Sequence, residues 1–270
     1  MNARLRFLSA LSAALLAGCY HVPVTGRTAL NLVDEKEVTK MSLAAFEDMK
    51  NHYPVSRDPA QNAQLQRVGE RLARVIPYWE MPDADWEFVV FDVPEINAFA
   101  MAGGKVGVFS GLFKIIDNDD QLASVLGHEI AHVTAKHVQE RLSRELARDT
   151  FSTVGMIGLG VGGAGALSVL AVQQAYGVST GADLAFDRDK EREADHIGLI
   201  YMSEAGYDPQ EAVKVLEKLE VETGLLPDVP AFLTNHPSNP ERIQRLTEEM
   251  PAALKKYEES KHQAAPTVIK

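Results

Sequence analysis

The sequence predicts an α+β fold that is mostly helical and contains one small β-meander. Apolar residues recur at three- to four-residue spacing on both sides of the middle of the chain, which favours amphipathic helices. Between them, residues 86–109 change to a strand-like pattern with a Gly-Gly turn. With 270 residues, 46% of them hydrophobic, the chain is long enough to bury one core, so we expect a single domain.

Two helices are predicted in the N-terminal part of the chain. Residues 31–51 carry apolar positions at helical spacing, and Asp34 with Glu37 three residues later has the pattern of a capping box. Residues 58–76 predict a second helix, which Pro77 ends.

Three short strands are predicted next, over residues 86–91, 96–101 and 105–109. Gly103-Gly104 marks a tight turn between the last two of them. Strands that follow one another so closely predict a β-meander in front of the third helix.

The third helix is predicted from residue 119 to about residue 148, with cap candidates and negative charge at residues 117–120. His128, Glu129 and His132 lie on it in the order H-E-x-x-H. The two histidines therefore project within about 40° of each other, one turn apart. Together they can hold a tetrahedral metal ion, and Glu129 can act as the general base for a water molecule. The alternative is an ordinary helix whose histidines bind backbone or solvent.

A third ligand is expected from the stretch EREAD, which begins a later helix. Glu191 and Asp195 share one face of that helix, so one can bind the metal while the other orients a liganding imidazole. Glu193 points elsewhere. His137, five residues after His132, points about 140° away from it, which predicts a surface or second-layer position.

These stretches together resemble a known peptidase family. GHEIAHVTAKH followed by EREAD, with INAFAMAGGKVGVFSGL before and NHPSNPERIQRL after, is similar to the gluzincins that include HtpX, the CAAX prenyl endopeptidases and the periplasmic peptidases BepA and LoiP. The resemblance implies a zincin fold with one Zn²⁺ per chain on His128, His132 and Glu191. It also implies Glu129 as the catalytic base and Asp195 as the residue that orients a ligand.

Two further residues, Asn97 and His236, each have two possible roles. Asn97 can contribute an amide near the site, as the resemblance suggests, or it can cap a hairpin turn. His236, in a loop before Pro237, can approach the metal or the reacting carbonyl, or it can be a surface residue.

The N-terminus is typical of an exported lipoprotein. Residues 1–18 combine Arg4 and Arg6 with an apolar stretch, which indicates a signal peptide. The ending Leu-Ala-Gly-Cys resembles a lipobox, so Cys19 is the predicted lipidation site. Because Tyr20 replaces the aspartate typical of inner-membrane retention, we expect an outer-membrane lipoprotein that faces the periplasm of a Gram-negative cell. The remaining residues, 19–270, are expected to form the peptidase domain.

Residues 150–182 are rich in glycine and alanine and carry no charge. They are too few for two membrane spans, and a single span would separate Glu191 from the two histidines. We therefore expect a helical hairpin or lid over the site, with shallow membrane insertion as the alternative.

The predicted function is that of a zinc-dependent endopeptidase acting on unfolded or misfolded envelope proteins, as a part of protein quality control. The substrate class rests on the resemblance. The alternative is a latent or weakly active chaperone or assembly factor for outer-membrane proteins. No nucleic-acid partner is expected, because the chain has a formal net charge of −11 and shows no basic stripe.

Overall fold

A computed structural model describes residues 19–144, 188–225, 232, 235, 236 and 240–263. The main helices are α1 Glu35–His52, α2 Pro59–Ala73, α3 Asp119–Thr134, α4 Arg188–Glu204, α5 Gln210–Leu225 and α6 Pro240–Gln263. The strands are β1 Cys19–His21, β2 Thr28–Leu30, β3 Glu87–Phe91, β4 Ala98–Met101 and β5 Lys105–Phe109, and a 3₁₀ helix spans Ser110–Lys114. The mostly helical α+β prediction is confirmed. The predicted signal peptide at residues 1–18 and the predicted lid at residues 150–182 lie outside the described residues.

The starts of the first three helices follow from short polar side chains. The Asp34 carboxylate accepts hydrogen bonds from the backbone N–H groups of Lys36 and Glu37, and Asp58 caps α2 in the same way. Asn118 caps α3, because its side chain accepts a hydrogen bond from the backbone N–H of Gln121. These caps place the starts of all three helices within four residues of the predicted ones.

The prediction of a β-meander was wrong. β5 lies between the other two strands of its sheet, antiparallel to β4 but parallel to β3. The turn at Gly103 and Gly104 is a true hairpin, because both residues adopt a positive φ, 86° and 79°. β3 and β4 do not pair with each other, and in their connection the backbone N–H of Asp92 donates to the carbonyl of Pro54.

The sheet packs through aromatic side chains and places its edge beside the motif helix. Phe46 of α1 contacts Phe91 and Phe99 edge to face, with ring centroids 6.1 and 6.3 Å apart. Strand β4 lies against α3, and all four of its residues are buried. The motif helix is thus held between the sheet and the later helices.

Helices α3 and α4 pack backbone against backbone. Gly127 of α3 faces Gly198 of α4, and a Cβ atom on Gly198 would lie 2.8 Å from the backbone nitrogen of His128. This close approach brings the H-E-x-x-H residues next to the acidic residues of α4.

The prediction of one continuous helix to about residue 148 was also wrong. α3 ends at Thr134, Lys136 adopts a φ of 55°, and helix resumes over residues 137–144. The Lys136 side chain is held there by Glu35, 2.7 Å away, and lies over the ring of Tyr20. The break changes the direction in which the following residues point.

None of the described helices combines the length and the apolar character that crossing a bilayer requires.

Candidate metal centre

Three buried side chains converge between α3 and α4. His128 Nε2 lies 3.1 Å from His132 Nε2 and 3.3 Å from Glu191 Oε2. His132 Nε2 lies 3.3 Å from Glu191 Oε1. The structure therefore brings together the three residues predicted as metal ligands.

These spacings fit a zinc ion. Zinc binds histidine nitrogen and carboxylate oxygen at about 2.0–2.2 Å, so two ligand atoms of a tetrahedral site lie roughly 3.3–3.5 Å apart. The observed separations of 3.1 and 3.3 Å are close to that value. Within the described part of the chain, Glu191 Oε2 is buried and makes no hydrogen bond, and Arg242 Nη1 lies 3.1 Å from it as an ion-pair partner.

His236 joins this cluster. Its Nδ1 lies 3.2 Å from His128 Nε2 and 3.0 Å from Glu191 Oε1, and donor atoms from all four residues lie within 4.8 Å of one another. The backbone N–H of His236 donates to the carbonyl of Phe232, and its own carbonyl accepts a hydrogen bond from Arg242. With a relative exposure of 2%, His236 is a residue of the site and not a surface residue.

Glu129 lies beside the cluster. Its Oε1 is 3.4 Å from His236 Nε2 and, among the described residues, has no hydrogen-bond partner. Burial raises the pKa of the Glu129 carboxyl above its ordinary value. A carboxylate with a raised pKa and an available lone pair is suited to accept a proton.

Asp195 and Arg242 lie behind the predicted ligands. Asp195 Oδ1 lies 3.0 Å from His128 Nδ1, the ring nitrogen that faces away from the cluster. The Arg242 guanidinium donates to both oxygens of Asp195, at 2.8 and 2.7 Å, and lies 3.1 Å from Glu191 Oε2. One buried cation therefore holds two of the carboxylates in place.

The sequence interpretation missed Arg242, although a signal was present. Arg242 stands in the first turn of α6, where the helix dipole disfavours a positive charge. A basic residue in that position indicates carboxylate partners elsewhere in the fold.

The charges of the site compensate one another. Burial disfavours the Asp195 carboxylate, but Arg242 outweighs this and lowers the Asp195 pKa. Burial likewise opposes protonation of His128, yet Asp195 and Glu191 raise its pKa to about 10. Burial lowers the pKa of His132 well below its ordinary value. The carboxylates thus favour a positive charge within the cluster, while His132 stays neutral.

His137 and Glu193 form a further layer behind His132. The two histidines approach through their Nδ1 atoms, 2.8 Å apart, and His137 Nε2 lies 2.9 Å from Glu193 Oε2. His137 is fully buried, so of its two predicted positions the structure shows the second-layer one. Glu193 stays outside the metal cluster, as its helical angle predicts, but it is buried.

Asn97 is buried, and its side chain bonds to the backbone. Its Oδ1 accepts a hydrogen bond from the N–H of Ala98 at the start of β4. The carbonyl of the preceding residue, Ile96, accepts a hydrogen bond from the N–H of Phe232, whose ring lies against His236. A catalytic contribution of the Asn97 amide stays a prediction.

The family model described as Peptidase family M48 matches residues 59–250, which include all four residues of the cluster. The chain belongs to peptidase family M48. This membership confirms the predicted gluzincin relationship and the prediction of a zinc metallopeptidase.

Several curated proteins are similar to this M48 peptidase. The mitochondrial metalloendopeptidase OMA1 of Schizosaccharomyces pombe is 33% identical over 242 residues, which are 89% of this chain and 69% of that protein. The beta-barrel assembly-enhancing protease of Yersinia pestis is 31% identical over 203 residues, 72% of this chain and 40% of that protein. Its counterpart in Escherichia coli K12 is 28% identical over 229 residues, 82% and 45% respectively. The chain therefore spans less than half the length of these two bacterial relatives.

Proposed function

We propose that this chain is a zinc-dependent endopeptidase that cleaves unfolded or misfolded envelope proteins. The observation that carries the proposal is the set of buried ligand atoms from His128, His132 and Glu191, 3.1 to 3.3 Å apart, next to a carboxylate with a raised pKa. A metal site that only stabilised the fold would need no such base beside it.

His128, His132 and Glu191 would hold one zinc ion. Zinc, when bound, supplies Lewis acidity that lowers the pKa of water and polarises a carbonyl group. The Glu129 side chain accepts the proton of the attacking water and returns it to the amine nitrogen of the departing peptide. Asp195 keeps the His128 ring oriented during these steps, since it lies 3.0 Å from the outer nitrogen of that ring.

The substrate class is supported by the bacterial relatives, which are named beta-barrel assembly-enhancing proteases. Strand β4 is an edge strand of its sheet and lies against α3, with all four of its residues buried, so a peptide would pair with it only where its covering is displaced. An edge strand offers main-chain hydrogen bonds to an extended peptide, with little dependence on the side chains of that peptide. Such recognition suits unfolded proteins of diverse sequence.

A latent form of the same enzyme is the second candidate. The position of His236 favours it, because His236 Nδ1 lies 3.2 Å from His128 Nε2 and 3.0 Å from Glu191 Oε1. In that position the imidazole occupies the place that a catalytic metal keeps open for water or substrate. A chaperone or assembly factor that rarely cleaves its clients would share this closed arrangement.

Casein hydrolysis by the full-length chain tests the proposal. We expect cleavage that chelation abolishes and added zinc restores. If His236 blocks the site, His236→Ala cleaves casein faster than wild type. A zinc-loaded protein that leaves casein intact both as wild type and as His236→Ala would contradict the peptidase and favour the chaperone.

The proposed location is the outer membrane, facing the periplasm, with residues 1–18 removed and Cys19 lipidated. The Leu-Ala-Gly-Cys ending supports it. Residues 19–270 would then form one peptidase domain, in which the uncharged residues 150–182 cover the site as a lid or hairpin. Cys19→Ala should release the protein from the membrane fraction. Retention of this variant in the membrane pellet would instead implicate residues 150–182.

A further inference from the structure

The two liganding histidines are supported in different ways. His128 faces a carboxylate directly, through its Nδ1 and Asp195. His132 faces a second imidazole, His137, whose far nitrogen lies 2.9 Å from Glu193 Oε2. The break at Lys136 places His137 there, because an unbroken helix would turn it about 140° away.

With a metal on His132 Nε2, one placement of the ring protons satisfies the hydrogen bonds that join His132, His137 and Glu193. If His132 Nε2 presents a lone pair to a metal, its proton is on Nδ1 and is donated to His137 Nδ1. His137 then carries its own proton on Nε2 and donates it to the Glu193 carboxylate. Each hydrogen bond has one donor and one acceptor, and both rings are fixed as single tautomers.

Glu193 is in turn held by the N-terminal hairpin. The Thr25 hydroxyl donates to Glu193 Oε1, and Arg27 Nε donates to Oε2 at 2.7 Å. Both residues belong to the turn between β1 and β2, where the backbone N–H of Val22 donates to the carbonyl of Arg27. Gly26 makes the turn possible with a φ of 69°.

We infer that Glu193 and His137 are positioning residues for the metal ligand His132, and that the β1–β2 hairpin forms part of the metal centre through Thr25 and Arg27. This inference rests on the proposed function in one respect, that the cluster holds zinc. It goes further in assigning a role to a segment that precedes the family match, which begins at residue 59. Partners behind a liganding histidine typically contribute 10- to 100-fold to metal affinity or activity.

Zinc affinity of the full-length chain in detergent tests the inference independently of peptidase activity. Dissociation constants are measured by competition with a chromophoric chelator, and the visible spectrum of the Co²⁺-loaded protein reports the ligand geometry. The variants are Glu193→Ala, Glu193→Gln and Thr25→Val. Tyr20→Phe is the matched control, because it removes a hydrogen bond between the same hairpin and the carbonyl of Thr134 and leaves the hydrogen bonds of His132, His137 and Glu193 in place.

Glu193→Ala should weaken zinc binding by about 10- to 100-fold and shift the Co²⁺ bands. Glu193→Gln should lose less zinc affinity than Glu193→Ala, because the amide oxygen still accepts a hydrogen bond from the His137 N–H. Thr25→Val should show a smaller loss in the same direction, and Tyr20→Phe should bind zinc within about twofold of wild type. Should Glu193→Ala not fold, the graded losses in Glu193→Gln and Thr25→Val carry the test.

Two results would overturn the inference. One is wild-type zinc affinity and wild-type Co²⁺ spectra in the folded variants at Glu193 and Thr25. The other is an equal loss in Tyr20→Phe, which would show that the hairpin acts through general stability. If the wild-type protein binds zinc with graded losses of zinc affinity in the variants but cleaves no protein, the positioning roles of Glu193 and His137 stand and the proposed peptidase function fails.

Discussion

The crossing of α3 and α4 at Gly127 and Gly198 sets the distance between the histidines and Glu191. Gly198→Ala perturbs that crossing directly. Its Cβ would lie 2.8 Å from the nitrogen of His128 and 2.9 Å from the carbonyl carbon of Gly127. Gly127→Ala is the matched control, because its Cβ would meet one atom at 3.0 Å and its next neighbours at 3.6 Å.

The expected losses of stability and activity in Gly198→Ala follow from these distances. Carbon atoms in contact prefer about 3.5–4.0 Å, so Gly198→Ala requires the helices to separate by about 0.5–1 Å. Overpacking of this kind costs about 1–3 kcal/mol, offset in both variants by the gain of about 1 kcal/mol for alanine in a helix. A displacement of about 1 Å can lower catalytic activity by roughly 10²-fold. We therefore expect Gly198→Ala to affect activity more than stability.

Casein hydrolysis at saturating zinc, together with urea unfolding, measures both effects. We expect Gly198→Ala to lose up to about 10²-fold in activity while staying folded, and Gly127→Ala to retain most of its activity. Equal activity and equal stability of the two variants would refute the claim that this crossing fixes the ligand geometry.

Three further predictions concern the residues around the cluster. Arg242→Ala should lower the free energy of unfolding by about 3–5 kcal/mol in urea titrations, because it leaves the Asp195 carboxylate buried without its cation. Arg242→Lys should lower the free energy of unfolding by less than that, but it cannot restore the two hydrogen bonds to Asp195. Glu191→Ala should lose most of its bound zinc in metal analysis, and wild-type zinc content would contradict its assignment as a ligand. The hydrogen bond to Glu249 raises the pKa of His196, so this pair stabilises the fold at pH values below about 6.5 and loses that contribution as the pH rises through the raised pKa. Urea unfolding of Glu249→Gln should therefore show a loss of at most about 1 kcal/mol at pH 5.5, since the pair is partly exposed, and a smaller loss at pH 9.

The local parts of the fold could be predicted because they depend on neighbouring residues. Asp34, Asp58 and Asn118 cap helices through side chains that bond to the next turn. The H-E-x-x-H spacing likewise places two histidines on one helical face, whatever the rest of the chain does.

The order of the strands could not be predicted in the same way. The pairing of β3 with β5 is parallel and depends on the path of the connection between β3 and β4, whose residues do not specify which strand lies next to β3. The short spacing of the strands in the sequence favoured a meander. The observed strand order, with β5 between β3 and β4, excludes it.

The second layer of the site was only partly predictable, for a related reason. His137 reaches His132 because Lys136 adopts a left-handed conformation, which the helical pattern gave no reason to expect. Arg242 reaches Asp195 from a different helix, α6. Contacts between distant segments depend on packing. The sequence pattern therefore indicated the predicted metal ligands more clearly than the residues that lie behind them, His137 and Arg242.

Glu129 is the proposed base of a zinc-dependent peptidase. The most direct measurement compares casein cleavage and bound zinc in wild type and Glu129→Gln, using the full-length protein. We predict equal zinc content, cleavage by wild type and no cleavage by the variant. Cleavage by Glu129→Gln at the wild-type rate would contradict the account.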